Sequence, residues 1–488
     1  MTLLGSVMAN NTGLINNLVW KFAERITAQL VTTIVSIVLA RILDPSHYGI
    51  IAMVTIFITI ANVFVTDGLG SALIQKHNPD SLDYSSVLYF NILVSIILYF
   101  LLFFLAPFIS KFYGEGYEIL TPVLRVLSIR LILCAINSVQ QAYVAKHMIF
   151  KKFFWATLTG TVLSAVVGVL LAINGFGVWA LVAQYLTNTT VDTVFLGFSL
   201  KKKPLLKFSI GRVKELFDFG IRILGTSLLI TGYQEIRALI IGKVYSSDDL
   251  AFYEKGRQFP NLIITNINVS ITAVLFPKMA NEQDDKIRIK TITRNSIRFC
   301  SFIMCPMMLG LAAVSNNFVS LLLTEKWLPC VPLLQLFCLV YLFQPIHSAN
   351  MQAIKAMGES GMYLKLEIIK KVIEIIVLIS TICINVQTMV IGMACCTTLF
   401  TLINAYPNIK LINYSIKEQM IDIIPSIGIS LFMAFIVWVI GFISLPLFPL
   451  LIIQIIVGFI IYFGIAFLTK NKELSFIISR LKNKKVLK

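Results

Sequence analysis

The stretch Arg257-Gln258-Phe259-Pro260-Asn261-Leu262-Ile263-Ile264-Thr265-Asn266-Ile267-Asn268-Val269-Ser270-Ile271-Thr272 decides the fold class. Read as a helix, it sets Arg257, Asn261, Thr265, Asn268 and Thr272 at steps of three and four, on one face of an apolar rod. The pattern recurs in Arg25, Gln29, Thr32 and Ser36, in Arg130, Asn137 and Gln141, and in Gln184, Asn188 and Asp192. Each set lies inside an apolar stretch long enough to cross a bilayer. An arginine or aspartate facing hydrocarbon at the bilayer centre costs roughly 2.5–3.5 kcal/mol even on the lenient insertion scale. Such faces must turn toward one another or toward water. The chain therefore reads as an all-α polytopic membrane protein around a polar, largely cationic lumen, the arrangement of a transporter.

Bulk composition agrees. The chain has 488 residues, 57% hydrophobic and 13% charged, with a mean hydropathy of +0.85. A span takes about 20 apolar residues, so about fourteen transmembrane helices with short loops use up the length. The expected spans include 48–74, 118–145, 295–323 and 331–356. No basic n-region or cleavage site marks the opening residues, so the first span is expected to act as an uncleaved anchor. The eight cysteines include no C-x-x-C pair and the four histidines are scattered. That pattern supports neither a disulfide framework nor a metal site. No catalytic motif stands in an exposed loop, and no catalytic residue or cofactor is expected. A membrane polymerase or ligase would need a larger outer loop than this chain offers.

The net charge of +17 would suit nucleic acid if it were clustered on a soluble face. It is instead spread over alternate loops. With the N-terminus in the cytoplasm, the inner loops and tail hold about 26 Lys and Arg and the outer loops about four, which fixes the orientation by the positive-inside rule. An even number of spans puts the C-terminus inside as well. The expected setting is a bacterial cytoplasmic membrane, and no nucleic acid is expected as a partner. In the tail, Leu474, Ile477, Ile478 and Leu481 can enter the interface, while Arg480, Lys482, Lys484 and Lys485 meet anionic headgroups of membrane lipids.

A short internal repeat is present. Phe22-Ala23-Glu24-Arg25-Ile26 is similar to Phe219-Gly220-Ile221-Arg222-Ile223. Two sets of six spans in the same orientation follow, a parallel duplication with a cavity between two bundles.

Two further segments carry a resemblance to a known family. They are Leu39-Ala40-Arg41-Ile42-Leu43-Asp44-Pro45-Ser46-His47-Tyr48-Gly49 and Asp67-Gly68-Leu69-Gly70-Ser71-Ala72-Leu73-Ile74-Gln75. They resemble the opening of polysaccharide repeat-unit (O-antigen and exopolysaccharide) flippases of the Wzx type. These belong to the multidrug/oligosaccharidyl-lipid/polysaccharide exporter superfamily. Ile241-Gly242-Lys243, Tyr253 with Gly256-Arg257, and Phe276-Pro277 look like that family's seventh and eighth spans. The resemblance implies a twelve-helix core in two six-helix bundles with two additional C-terminal helices. On this sequence that means bundles at 1–200 and 215–410, a basic cytoplasmic linker at 201–214, two more helices at 411–470, and a basic amphipathic tail at 471–488. It implies alternating access and a substrate that is an oligosaccharide linked to undecaprenyl diphosphate. A polysaccharide polymerase and a chain-length regulator are the implied protein partners. Two departures stand out: Glu235-Ile236-Arg237 replaces the Asp that many relatives carry before Ile-Gly-Lys, and the turn after Lys243 lacks the usual Gly.

Guanidinium groups match phosphate oxygens in a bidentate fork and stay charged. Arg25, Arg222, Arg237, Arg257 and Arg130 are therefore the expected diphosphate ligands. Gln29, Asn188, Asn261 and Asn268 are expected to hold sugar hydroxyls. Glu235 and Glu254 are the expected carriers of a coupling proton or cation. The bland alternatives are internal pairs: Arg237 with Glu235 or Glu254, Arg25 with Glu24 or Asp67, Glu374 with Lys370 or Lys371. A multidrug or organic-cation antiporter on the same fold is the competing function, and it predicts an acidic or aromatic lumen.

Overall fold

The computed structural model describes residues 2–200 and 205–475, without the side chains of residues 2–19, 21, 22, 269–274, 276, 277 and 360. The basic run at 201–204 and the tail from 476 onward lie outside the described residues. All regular structure among the described residues is helical. Packing divides the chain into two units, Met1–Ala251 and Phe252–Lys488. The first holds α1 (Thr2–Ile42), α2 (Pro45–Thr66), α3 (Leu69–Gln75), α4 (Ser81–Tyr113), α5 (Leu120–Leu127), α6 (Arg130–His147), α7 (Phe150–Ile173), α8 (Val178–Ser199), α9 (Ile210–Val244) and the opening of α10 (Ser247–Ala280). The second holds the rest of α10, then α11 (Lys286–Leu323), a 3-10 turn (Glu325–Cys330), α12 (Val331–Leu342), α13 (Gln344–Ala356), α14 (Ser360–Thr381), α15 (Val386–Leu411), α16 (Ile416–Ile440) and α17 (Leu447–Leu468). The division falls inside α10, past α9, which the sequence reading puts in the second bundle.

Three stretches expected as single spans are broken. Residues 48–74 form α2 and α3, interrupted at Asp67-Gly68. Residues 118–145 form α5 and α6, where the Ser128 hydroxyl donates to the Leu124 carbonyl at 2.6 Å and competes with the helix ladder. Residues 331–356 form α12 and α13, restarted by Pro345 in the first turn of α13. One helix starts earlier than its apolar stretch: α11 opens at Lys286 because the Asp285 carboxylate accepts from the Arg288 N–H. Hydropathy does not register such a polar first turn.

The glycines of the family-like segments have structural work. A Cβ on Gly49 would stand 1.9 Å from the Ser247 carbonyl oxygen, so the start of α2 touches the start of α10 backbone to backbone. A Cβ on Gly220 would stand 3.2 Å from the Gly68 carbonyl carbon, so α9 lies against the α2–α3 break.

Among the described residues, eleven segments are long and apolar enough to cross a membrane, counting α2 with α3, α5 with α6, and the 3-10 turn with α12 and α13 as one each. The long helices outside that set are α8, α10 and α14, of 22, 34 and 22 residues. They are long enough to span, and their polar side chains lower their mean hydropathy. The helices are polar inward and apolar outward, as lipid requires. On α4, Ser85, Ser86, Asn91 and Ser95 are buried, while Phe100, Phe104 and Phe108 are exposed.

Candidate functional site

In the first unit, the polar stripes of α6 and α8 meet along one seam. Arg130 Nε donates to Thr189 Oγ1 at 3.0 Å, and its guanidinium carbon lies 5.6 Å from the Tyr185 ring centre. Asn137 Nδ2 donates to Asp192 Oδ2 at 2.9 Å, and Gln141 donates to the Asn137 side-chain oxygen. Asn188 Nδ2 reaches Thr161 Oγ1 and Ser164 Oγ of α7, both at 3.4 Å. α7 can approach because Gly160 stands opposite: a Cβ there would lie 3.1 Å from the Asn188 carbonyl oxygen. The structure thus brings Arg130 and Asn188 to one helix triad.

The remaining expected residues of this unit are placed separately. Arg25 on α1 is half-buried and Arg222 on α9 is exposed, and neither guanidinium has a hydrogen-bond or ion-pair partner among the described residues. The pairing of Arg25 with Glu24 or Asp67 is therefore not made. Asp67 Oδ1 instead accepts from its neighbour Thr66 at 2.9 Å. Gln29 and Glu235 are half-buried on α1 and α9. Arg237 donates to the Tyr233 hydroxyl one turn back at 3.1 Å.

In the second unit, Arg257 is ion-paired with Glu254 at 2.8 Å on the same helix. That fills the carboxylate expected either to carry a coupling ion or to pair with Arg237. Asn261 Oδ1 accepts from Thr265 Oγ1 at 3.4 Å. Asn268 Oδ1 accepts from Ser348 Oγ on α13. This last bond borders a cavity of about 360 Å³ between α10, α13, α14 and α15, lined among others by Gln344, His347, Lys355, Glu367, Lys370 and Glu374. Inside it, Lys370 pairs with Glu367 at 2.7 Å and Lys371 with Glu374 at 2.9 Å. The Glu374–Lys371 pair is one of the internal pairs read from sequence. The cavity itself is not among the expected sites. Its signal was present in the spacing of Gln344, Ser348, Gln352 and Lys355, a fifth stripe at helical period.

Each unit also carries an ionic network beyond the expected residues. In the first, Lys76 reaches Asp83 at 3.0 Å and Glu215 at 2.9 Å, and Arg212 reaches Asp80 at 3.2 Å. The network ties the α3–α4 loop to the start of α9. Burial works against the charged Lys76 ammonium, but its bonds to the Glu215 and Asp83 carboxylates prevail and hold its pKa above the ordinary lysine value. The backbone N–H of Asp83, with Arg212 nearby, keeps Asp80 below the usual aspartate value. In the second unit, Lys290 pairs with Glu418 at 2.9 Å, Arg294 with Asp422 at 2.7 Å and Arg298 with Glu473 at 2.6 Å. Among the described residues no group of three His, Cys, Asp or Glu side chains is arranged to hold a metal ion.

Long helices with polar inner faces and ionic networks at their ends make up a polytopic, all-helical fold of the kind that spans a membrane. The solved structure of the lipid II flippase MurJ, in an inward closed conformation, shares that fold. It has a TM-score of 0.71 at 15% identity, covering 97% of this chain and 100% of that one. In sequence, residues 38–332 match the family model described as polysaccharide biosynthesis protein, and the chain belongs to that family. It is 25% identical over 315 residues to the lipopolysaccharide biosynthesis protein WzxC of Escherichia coli (strain K12), a match covering 63% of each chain. That match spans less than two thirds of WzxC. A membrane protein in the cps region of Klebsiella pneumoniae is 25% identical over 474 residues, covering 93% of this chain and 95% of that one.

Proposed function

We propose that the protein is a flippase that moves undecaprenyl-diphosphate-linked oligosaccharide repeat units from the cytoplasmic to the outer leaflet of a bacterial cytoplasmic membrane. It works by alternating access for polysaccharide biosynthesis, with both termini in the cytoplasm and two six-helix bundles forming the carrier. The observation that carries the reading is the set of arginines inside membrane-length apolar segments without carboxylate partners among the described residues, Arg25, Arg130 and Arg222. A cation exporter gains nothing from uncompensated guanidinium groups, whereas a diphosphate needs them. Arg25 and Arg222 take the diphosphate from the cytoplasmic side. Arg130, Arg237 and Arg257 hold it further across. Gln29, Asn188, Asn261 and Asn268 serve the sugar hydroxyls, and Glu235 and Glu254 are the coupling carboxylates. The polyprenyl tail stays in lipid. Family membership and the two bacterial relatives support the polysaccharide setting, in which a polymerase and a chain-length regulator act on the delivered unit.

Potential alone supplies a drive. One charge crossing 100 mV is worth roughly 2.3 kcal/mol, so about two negative charges moving outward gain roughly twice that. If charge neutralisation travels with the substrate, that gain vanishes and an antiported ion must reset the carrier.

The test is mass spectrometry of lipid-linked oligosaccharides in a deletion strain with its transferases intact. One undecaprenyl-diphosphate repeat unit is expected to accumulate, relieved by the wild-type protein and not by Arg25→Ala or Arg257→Ala. Absence of accumulation with unchanged surface polysaccharide would contradict the proposal.

A further inference from the structure

We propose that Asp192 is the internal counter-ion of Arg130. It takes the guanidinium when the carrier returns empty and yields it when the substrate's diphosphate arrives. The inference rests on the flippase reading above.

The two groups lie on one seam and neither has an opposite charge. Arg130, at the start of α6, bonds a threonine hydroxyl and faces a tyrosine ring. Among the described residues no carboxylate is within ion-pair distance of it. Asp192 on α8 has one oxygen bonded to Asn137, while its Oδ1 is buried with no partner among the described residues. Thr189, which now holds Arg130, precedes Asp192 by three residues on α8, so about 5–6 Å separates their Cβ atoms. Rotation about the arginine's own torsions covers that distance without moving a helix.

His47 lies beside Gly177, Lys152 donates to the Ser199 carbonyl, and Arg125 of the neighbouring α5 is held by the Phe103 carbonyl. None of them substitutes for the missing pair.

Two separated charges inside membrane-length helices are each expensive, and joining them offsets part of that cost. A carrier that bound the diphosphate on Arg130 and then released it would expose a bare guanidinium on the return. Asp192 closes that gap. The empty seam is neutral as Arg130 with Asp192. The loaded seam places a phosphate oxygen on Arg130, and Asp192 keeps the Asn137 bond it makes here. Asp192 is therefore needed for the empty return and dispensable for the loaded passage.

The experiment uses the full-length protein in vesicles. The probe is the undecaprenyl-diphosphate repeat unit purified from the strain lacking the protein. Exchange is read as equilibration of labelled probe between two leaflets both saturated with unlabelled probe, which needs only the loaded carrier. Net transport is read with probe in one leaflet alone, which needs the empty return. Asp192→Asn is expected to keep exchange within about twofold of wild type and to lose net transport by about tenfold or more. Asp192→Glu should restore net transport, and Arg130→Gln combined with Asp192→Asn should lose the split, with exchange and net transport falling together, because no bare guanidinium is left on the return. If Asp192→Asn does not fold, Asp192→Ser must show the same split. Net transport at the wild-type rate in Asp192→Asn would overturn the proposal. So would loss of both activities in a variant that keeps wild-type thermal stability. A wild-type protein that shows neither activity contradicts the flippase reading itself and removes this inference with it.

Discussion

Arg257 in the second unit and Arg130 in the first meet their carboxylates differently. Arg257 holds Glu254 at 2.8 Å, three residues back on its own helix. Arg130 holds a threonine hydroxyl, while Asp192, one turn along the facing helix, holds an asparagine. The first pair is made within a single helix. The second would have to be made across two, and it is open. Two further pairs of the second unit repeat its pattern, Glu367 with Lys370 and Lys371 with Glu374, both within α14, while Lys290 with Glu418 and Arg294 with Asp422 are closed pairs between α11 and α16. In the first unit, Arg25 and Arg222 have no ion-pair partner among the described residues. Charge neutralised within a helix is independent of how helices are arranged. Charge neutralised only across helices, or by a ligand, depends on conformation, and that dependence is what a carrier needs.

The largest effect is expected where the guanidinium is open. Arg130→Ala should lower reconstituted flux about ten- to hundredfold, because hydrogen bonds to charged groups contribute about 1.5–3 kcal/mol. Arg130→Lys should recover only part of it, since a lysine keeps the charge and loses the fork. Flux in Arg130→Ala equal to wild type would erase the distinction between the two units.

Next come the intrahelical pairs. Glu367→Gln leaves the mostly buried Lys370 ammonium without its carboxylate and should destabilise the protein by about 1–2 kcal/mol. Adding Lys370→Met should restore most of that loss in thermal unfolding, and failure to do so would show that the pair is not self-contained.

A smaller change is expected at Arg257, whose pair is about one-third exposed. Glu254→Gln removes the competitor for the guanidinium and should tighten binding of the lipid diphosphate severalfold, about 1 kcal/mol, in a titration with purified substrate. Unchanged affinity would indicate that Arg257 does not meet the substrate.

The smallest effect belongs to the ionic network at the α3–α4 loop. Asp80 has its carboxylate held below the ordinary value, so its contribution is present above the unfolded pKa and is lost as pH falls through the folded one. Because Asp80 is half-exposed, Asp80→Asn should cost less than about 1 kcal/mol. Thermal stability of wild type and variant should converge on acidification. A gap that persists at acid pH would place the effect in packing rather than charge.

Much of this was legible in the sequence, for a physical reason. Burying an arginine in a bilayer-length helix is so costly that its spacing must be informative, and the stripes containing Arg130 and Asn188 do meet. What was not legible was pairing. Lys290 finds Glu418 across 128 residues, and no local period encodes that. Of the cavity lined by α13 and α14 only Asn268 was legible, although Gln344, Ser348, Gln352 and Lys355 have the right spacing, because a stripe without an arginine carries less cost and a weaker signal. The helix breaks at Gly68, Ser128 and Phe343 were hidden by continuous hydropathy. Hydropathy registers apolar length and is blind to hydroxyl competition or to a proline restarting a turn.

The most direct measurement is the leaflet position of the lipid-linked repeat unit in spheroplasts of the deletion strain. It is read by labelling the sugar with a membrane-impermeant reagent. The flippase proposal predicts that the accumulated unit is protected in the deletion strain and becomes labelled when the wild-type protein is restored. Labelling of the accumulated unit without the protein would contradict it, because the sugar would then have crossed the membrane by another route.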